Sequence, residues 1–302
     1  MKRQSVISIF FLLILAAATL FFTLYRRQPV SLDPNGLFVL FIDVGQADCA
    51  LVMQDGHAML VDAGTPDSFR KISDFLDFFG ISELDAMVLT HPHADHIGSA
   101  PMLLEEYPVR EIFMPNVITT TASFADTLDI ILEKDIPVTA PAPGENWALG
   151  SAQITFLSPP VLDHYEDLND ASIAFRLLYN GVRMLFTGDM GSDMEQRILD
   201  EGFDVRCDLI KVPHHGSRSS SSPAFVSAVS PAHAIFTTVK DSEDGLPKAE
   251  IVDRYLSAGA ATYFTHIDGS ILAEVIDSEL TVRPFDRSLF KEKRSVFDEA
   301  DD

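Results

Sequence analysis

The chain has 302 residues, which is enough for one large domain or two small ones. Hydrophobic residues make up 47% of it and charged residues 22%, a composition typical of a globular protein and not of a disordered one. The formal net charge of −23 argues against a protein that binds nucleic acid through a basic surface, so we expect no stable nucleic-acid binding. A nucleic-acid substrate held through metal ions stays open, as does an acidic surface that serves solubility alone.

An apolar segment lies near the N-terminus. Residues 6–25, VISIFFLLILAAATLFFTLY, form an uncharged run that is long enough to span a bilayer as a helix, and basic pairs flank both ends. We therefore predict a single-pass transmembrane anchor in residues 1–28, with the rest of the chain at the cell membrane and outside the cytoplasm. The alternative is a signal peptide cleaved near Ala18, which would release a secreted protein.

The only two cysteines are Cys49 and Cys207. Two are too few for a disulfide framework, and each lies in an apolar, strand-like segment. We predict two buried thiols, with a single bond between them as the alternative.

After a linker at 29–36, strands and helices alternate from 37 to 285 with no internal boundary. Asp55-Gly56 and Asn180-Gly181 are hairpin signals, and Ser222-Pro223 suits a helix start. The expected strands are 37–44, 47–54, 57–64, 84–90, 151–159, 171–179, 182–188, 207–213 and 233–239, and the expected helices are 67–80, 191–202 and 248–259. The pattern predicts one mixed α/β domain, followed by a charged tail at 286–302 that we expect to be disordered.

Three histidines and an aspartate crowd into the stretch THPHADHIGS, at 90–99. His91 and His93 are two apart on an extended segment, so they point the same way and can share one ion. Asp95 and His96 follow at a turn, where they can face a second ion. Imidazole and carboxylate together suit zinc, manganese or iron. The stretch therefore predicts half of a metal site, and surface histidines before a helix are the weaker interpretation.

Two later motifs offer the missing ligands. Asp189, in LFTGDMGS, ends a strand, where a carboxylate is costly unless it is paired or bound to metal. It can bridge two ions, or it can cap the following helix. His214 and His215, in KVPHHGS, end another strand, and successive strand residues face opposite sides. We therefore expect one of the two to be a ligand and the other to contact either the substrate or the groups that surround the ligands.

The motifs as a set resemble the metallo-β-lactamase fold superfamily. Within it, DVGQ and VPHHGS resemble the hydrolase domain of ComEC/Rec2-type competence proteins. The matching segments, between about 37 and 222, are FIDVGQADCALV, MLVDAG, LDAMVLTHPHADHIGS, NDASIAFRL, MLFTGDM and LIKVPHHGSRSSS. The resemblance implies a four-layer αββα sandwich and a dinuclear metal site, with zinc as the expected metal and manganese as the alternative.

The resemblance also implies a role for each site residue. The first ion is bound by His91 and His93, the second by Asp95 and His96, with Asp189 as the bridge and His215 as the better ligand of its pair. Asp95 is the implied proton acceptor, and His214 is the implied contact to the reacting group. The residues expected around the ligands or the substrate are Asp62, Asn169, Asp170 and Ser217.

Three departures from the family pattern matter. Ala47 stands where the group has glycine in GQGD, and Leu246, in DGLPK, stands where the group has the histidine of a YGHP-like segment. The histidine that many members carry before the Asp189 strand pair is missing. Asn169-Asp170 is the nearest feature there, and His164 is only a remote substitute.

We therefore expect a membrane-anchored, dinuclear-metal hydrolase that uses a metal-bound hydroxide. The expected substrate is a phosphodiester: nucleic acid, a nucleotide or an envelope phosphodiester. The alternatives are hydrolysis of a β-lactam or another amide or ester on the same fold, and a non-catalytic binding module.

Overall fold

A computed structural model describes residues 32–160, 165–288 and 290. The predicted anchor at 6–25, His164 and most of the predicted tail lie outside these residues, and the domain boundaries stay predictions. Within the described ranges, none of the helices combines the length and hydropathy that crossing a bilayer requires.

Short strands make up most of the domain. In chain order they are β1 (Leu37–Phe41), β2 (Ala50–Gln54), β3 (His57–Val61), β4 (Ala86–Val88), β5 (Ile112–Phe113), β6 (Val138–Thr139), β7 (Asn146–Leu149), β8 (Ala152–Phe156), β9 (Phe175–Tyr179), β10 (Val182–Phe186), β11 (Leu209–Lys211), β12 (His233–Phe236), β13 (Ala261–Phe264), β14 (Ile271–Ile276) and β15 (Glu279–Pro284). The helices are α1 (Phe69–Phe79), α2 (Ala94–Ile97), α3 (Ala100–Glu106), α4 (Ala122–Glu133), α5 (Ser192–Asp200), α6 (Pro223–Val229), α7 (Ala249–Ser257) and α8 (Thr265–Asp268).

The strands form two sheets. The first has the order β15-β14-β1-β2-β3-β4-β5-β6, and the second has the order β13-β12-β11-β10-β9-β8-β7. In the first sheet, β15 through β3 pair antiparallel and β3 through β6 pair parallel. The second sheet repeats this arrangement, with β7 through β10 antiparallel and β10 through β13 parallel. Each sheet therefore has one antiparallel part and one parallel part, and the C-terminal strands β14 and β15 complete the first sheet.

Three apolar layers hold the domain together. The two sheets pack face to face through residues such as Phe41, Phe175 and Phe186, whose rings stack in series. The outer face of the first sheet is covered by α1, α3 and α4, and that of the second sheet by α5, α6 and α7. Each strand alternates its side chains between the two faces, so both sheets are apolar on both sides. The predicted αββα sandwich is confirmed.

The elements that the sequence predicted are present, but several are shorter. The helix predicted at 67–80 is a single 3₁₀ turn followed by α1, and Gly80 ends it with a φ of 72°. Helices α4 and α8 and the strands β5, β6 and β7 were not predicted. The three strands have only two to four residues each, which carry too little periodicity to detect. Cys49 and Cys207 are buried free thiols, as predicted.

The serine run after HHGS is a helix start. The Ser222 hydroxyl accepts a hydrogen bond from the N–H of Phe225, and Pro223 is the first residue of α6. Because this cap satisfies a donor that the helix leaves unpaired, Ser222→Ala should lower the free energy of unfolding by about 1 kcal/mol. Urea unfolding of the two proteins measures the difference. Ser257→Ala, at the exposed end of α7, is the matched control and should leave the stability within about 0.5 kcal/mol.

Candidate metal centre

The polar cluster lies at one edge of the sandwich, where the parallel strands of both sheets end. The motif HPHADH follows β4, Asp189 follows β10, and His215 follows β11. Open α/β sheets place ligand sites outside the carboxyl ends of their strands. The topology therefore brings to one place side chains that lie far apart in the sequence.

The first two histidines of the motif converge as predicted from their spacing. His91 Nε2 and His93 Nδ1 lie 3.0 Å apart. On its other ring nitrogen, His91 is 3.2 Å from the Thr90 hydroxyl and 3.3 Å from the Ser172 hydroxyl. These hydroxyls can hold Nδ1, which leaves His91 Nε2 free to bind an ion together with His93. Among the described residues, no group of three or more candidate ligands includes His91 or His93.

A more complete ligand set lies beside it. One ligand atom from each of four side chains falls within 4.8 Å of the others: Asp95, His96, Asp189 and His215. Asp189 Oδ2 is 3.2 Å from His96 Nε2 and 3.5 Å from His215 Nε2. Asp95 Oδ2 is 3.6 Å from His215 Nε2. Two carboxylates and two imidazoles around one point suit a divalent ion of intermediate softness, such as zinc.

The hydrogen bonds behind these imidazoles aim them at the cluster. His96 Nδ1 lies 2.9 Å from Asp62 Oδ2, and Asp62 also accepts the N–H of Thr90 at 2.8 Å. His215 Nδ1 donates to the Thr237 carbonyl at 2.8 Å. With a proton on Nδ1, each ring presents the lone pair of Nε2 to the cluster. Asp62 thus sits where the sequence placed it, behind the ligands.

The same two rings supply the test of fit for a metal ion. His96 Nε2 and His215 Nε2 are buried, and neither has a hydrogen-bond partner among the described residues. A buried polar atom without a partner costs about 1–3 kcal/mol, and an ion bound at this point would satisfy both. The residues therefore fit a divalent cation.

The two histidines of HHGS do not lie on a strand, so that part of the prediction was wrong. Strand β11 ends at Lys211, and both histidines have left-handed backbone angles, with φ of 47° at His214 and 50° at His215. The two rings are therefore separated by a left-handed turn and not by the alternation of side chains along a strand. His215 enters the ligand cluster. His214 Nε2 stays 3.9 Å from Asp189 Oδ2, and a quarter of its side chain is exposed.

The remaining sequence candidates lie around the cluster in different roles. Ser219 bridges His214 Nδ1, at 3.0 Å, and the hydroxyl of Ser217, at 3.1 Å. Asp170 accepts the N–H of Gly191 at 3.0 Å, which holds the turn that carries Asp189. Asn169 has a buried side-chain oxygen with no partner among the described residues.

The two substituted positions are both close to the site. Ala47 is buried, and it is not among the residues with positive φ, so its methyl group sits in an ordinary backbone conformation. Leu246 is buried beside Pro247 in the loop that touches HHGS, where the N–H of Lys248 donates to the Gly216 carbonyl at 3.0 Å. The DGLPK segment therefore does lie at the position that the resemblance implied.

The sequence analysis missed two buried charges, Asp48 and Lys211. They form an ion pair, and Lys211 Nζ also lies 3.4 Å from Asp189 Oδ1. Asp48 Oδ2 is 3.7 Å from His96 Nδ1. A lysine inside an otherwise apolar strand, in LIKVP, was the available signal, because a buried lysine needs an acidic partner.

The electrostatics follow from crowding charges in a buried place. Burial would raise the pKa of Asp189, but its three positive neighbours outweigh this and hold the pKa well below the usual range. Burial would lower the pKa of Lys211, and Asp48 and Asp189 outweigh that effect and raise it. Burial would also raise the pKa of Asp95, but the imidazole of His215, 3.6 Å away, outweighs this and lowers it, so Asp95 is ionised near neutral pH. An ionised Asp95 is a good metal ligand and a weak proton acceptor.

His214 differs from these charged groups, because its imidazole favours the neutral form. Burial lowers its pKa, and the charge of Asp189 only partly offsets this. The ring is therefore neutral near pH 7, when it can accept or donate a proton. Its side chain is also partly exposed beside the ligand cluster, as is that of His93.

Fold and site together define a metal-dependent hydrolase family. The sequence matches the model of the metallo-beta-lactamase superfamily over residues 42–236. This chain belongs to that superfamily, and the matched residues contain all the ligand candidates described above.

Among curated proteins, the ComEC-type resemblance is confirmed. The chain is 27% identical to "ComE operon protein 3" of Bacillus subtilis (strain 168), over 70% of this chain and 29% of that protein. It is 25% identical to "Competence protein ComA" of Neisseria gonorrhoeae, over 83% of this chain and 34% of that protein. The chain thus spans about a third of the length of these relatives.

Among solved structures, the fold is similar to that of the metallo-beta-lactamase fold protein YhfI from Bacillus subtilis. The TM-score is 0.53 at 13% sequence identity, with 76% of this chain and 96% of that chain covered. At this identity the similarity shows the fold alone.

Proposed function

We propose that this protein is a membrane-anchored phosphodiesterase that works with two divalent metal ions. The observation that carries the proposal is the convergence of Asp95, His96, Asp189 and His215, with His91 and His93 beside them. Zinc suits this donor set best, and manganese is the alternative. Such ions would supply Lewis acidity that lowers the pKa of a water molecule and offsets charge on phosphoryl oxygens.

Residues of the chain would orient the ligands, transfer a proton and contact the phosphate. Asp62 and Thr237 hold the ligand imidazoles in the tautomer that presents Nε2. His214 stands at the partly exposed side of the cluster and is neutral near pH 7, so we assign it the proton transfer to or from the reacting group. Asp95 is ionised and serves as a ligand first. The hydroxyls of Ser217 and Ser219 line the same side and can donate to a phosphate oxygen.

The phosphodiester assignment rests on VPHHGS and on the competence-type relatives. Nucleic acid, nucleotides and envelope phosphodiesters all fit this chemistry. The net charge of −23 weighs against long nucleic acid bound stably, because polyanions gain affinity from basic surfaces.

The anchor is part of the proposal. Residues 6–25 are uncharged and apolar over the length of a membrane span. We place them in the cell membrane with the hydrolase domain outside the cytoplasm. Cleavage after about residue 18 would instead release the domain, and N-terminal sequencing of the protein isolated from cells distinguishes the two outcomes.

A metal and turnover assay tests the proposed activity. The full chain in detergent should bind two equivalents of zinc or manganese and hydrolyse bis-p-nitrophenyl phosphate. His93→Ala should abolish most of the turnover, whereas His266→Ala is the control, since His266 contacts Thr238 outside the ligand cluster. Nitrocefin hydrolysis at a similar kcat/KM would favour the amide-hydrolase alternative. Two bound ions with no phosphodiester turned over would overturn the phosphodiesterase assignment.

A further inference from the structure

Lys211 is a buried cation that the proposed reaction has not used. It is the last residue of β11, and only 4% of its surface is exposed. A lysine this deeply buried is rare unless its charge is paired, and transfer of an ammonium out of water is costly. Its position between the two acidic residues Asp48 and Asp189 calls for a functional reason.

The contacts of Lys211 divide the two oxygens of Asp189. Lys211 Nζ lies 3.4 Å from Asp189 Oδ1 and 3.2 Å from the Gly188 carbonyl oxygen. The other oxygen, Oδ2, faces His96 Nε2 at 3.2 Å and His215 Nε2 at 3.5 Å. One oxygen of the carboxylate is therefore engaged by the protein, and the other is directed at the cluster.

A second chain of contacts runs from Lys211 to a ligand imidazole. Lys211 pairs with Asp48 Oδ2, and the Thr237 hydroxyl donates to Asp48 Oδ1. The carbonyl and hydroxyl of Thr237 lie 2.8 Å and 3.1 Å from His215 Nδ1. Lys211 thus sits behind both Asp189 and His215, on the side away from the cluster.

We propose that Lys211 is a positioning residue of the metal centre, which fixes the carboxylate plane of Asp189 and, through Asp48 and Thr237, the ring of His215. The inference rests on the metal site of the proposed function and deepens it. Groups behind metal ligands typically contribute about 10–100-fold to metal affinity when they orient those ligands.

Removal of the Lys211 charge should change the metal affinity in opposite directions, depending on whether Lys211 acts by its charge or by orienting Asp189. The role of Lys211 is therefore testable. A buried ammonium repels a divalent cation, so loss of its charge alone would strengthen cation binding. Loss of orientation frees Asp189 to rotate and would weaken binding. The direction of the change in affinity therefore tells the two roles apart.

The experiment titrates the metal-free full chain in detergent with Mn²⁺ and follows the loss of the free-ion EPR signal. Lys211→Met should weaken Mn²⁺ binding by about 10–100-fold. The double variant D48N/K211M removes the ion pair as a unit, so no lone buried carboxylate remains to disturb folding, and it should show the same weakening. Lys134→Met is the control, because the partners of Lys134 within the described residues are the carbonyls of Leu104 and Glu105 and the Glu105 carboxylate, away from the cluster.

Wild-type or tighter Mn²⁺ binding by folded Lys211→Met, or by the folded double variant, would overturn the positioning role while leaving the metal site intact. Absence of both Mn²⁺ binding and bound zinc in the unchanged chain would overturn the metal site and this inference together. Circular dichroism of each variant confirms that the proteins compared are folded.

Discussion

Asp189→Asn is expected to lower phosphodiester hydrolysis by about 1,000-fold or more, with loss of at least one metal ion. The substitution keeps the shape of the side chain but removes the charge that faces His96 and His215. Asp189 is 2% exposed, and its Oδ2 lies within 3.5 Å of the Nε2 atoms of both His96 and His215. Metal ions contribute several kcal/mol to such reactions, and about 1.4 kcal/mol corresponds to a tenfold change in rate.

The measurement is kcat/KM for bis-p-nitrophenyl phosphate together with the metal content of each preparation. Asp193→Asn provides the control, because Asp193 is an exposed carboxylate in the first turn of α5, only four residues away. It should keep wild-type activity. Retention of more than a tenth of the wild-type rate by the Asp189 variant, with two ions bound, would show that Asp189 is not the shared ligand.

The metal-free protein is expected to lose stability as the pH rises above about 6.5. Burial would lower the pKa of His96, but Asp189 and Asp62 outweigh this and raise it well above the usual value. The pKa of His215 is raised in the same way, chiefly because Asp189 and Asp48 outweigh burial. Both imidazoles thus hold their protons longer in the folded protein than in the unfolded one.

The direction in which stability changes with pH depends on whether the folded or the unfolded protein binds the proton more tightly. A histidine with a raised folded pKa stabilises the protein fully below its unfolded pKa of about 6.5, and this contribution is lost as the pH rises through the folded pKa. His91 and His214 have lowered pKa values, mainly through burial, and their destabilising contribution acts only below about 6.5. Above about pH 6.5, His96 and His215 therefore set the slope of stability against pH.

Divalent ions should reverse this trend. Metal ligands bind in their deprotonated form, so affinity rises with pH, and a free ion concentration a thousand times its Kd adds about 4 kcal/mol to the stability. Thermal unfolding in a chelator and in zinc, across this pH range, measures both slopes. A midpoint that rises with pH in the chelator would contradict the raised pKa values of His96 and His215.

The metal ligands illustrate how far sequence reasoning reaches. The spacing of His91 and His93 was enough to predict that they converge, because two-residue spacing on an extended segment is a local property. Asp95 and His96 were predicted at a turn and lie in the single-turn helix α2, which still directs them into one cluster. A prediction of which nearby side chains converge can therefore be correct even when the predicted secondary structure is slightly wrong.

The pair His214 and His215 shows where such reasoning stops. We predicted that the two rings are separated because neighbouring side chains alternate along a strand. The separation instead comes from a left-handed turn, which no local pattern in PHHG predicts. Gly216 fits beside Pro247, where a Cβ atom would lie 2.7 Å from the Pro247 Cβ, so the turn depends on a loop about thirty residues later. Packing between distant segments selects this backbone conformation.

The sequence by itself predicted the types of candidate ligand and, through the resemblance that its motifs carry, the two-sheet fold and the family, because motif chemistry and motif order are properties of the chain alone. The tertiary structure alone decided which side chains share the centre. The hydrogen bond between Thr237 and Asp48 joins residues 189 positions apart, and the Asp48–Lys211 ion pair closes a similar distance. Such contacts form only after both sheets stack, since burial is what makes an unpaired charge costly and selects its partner.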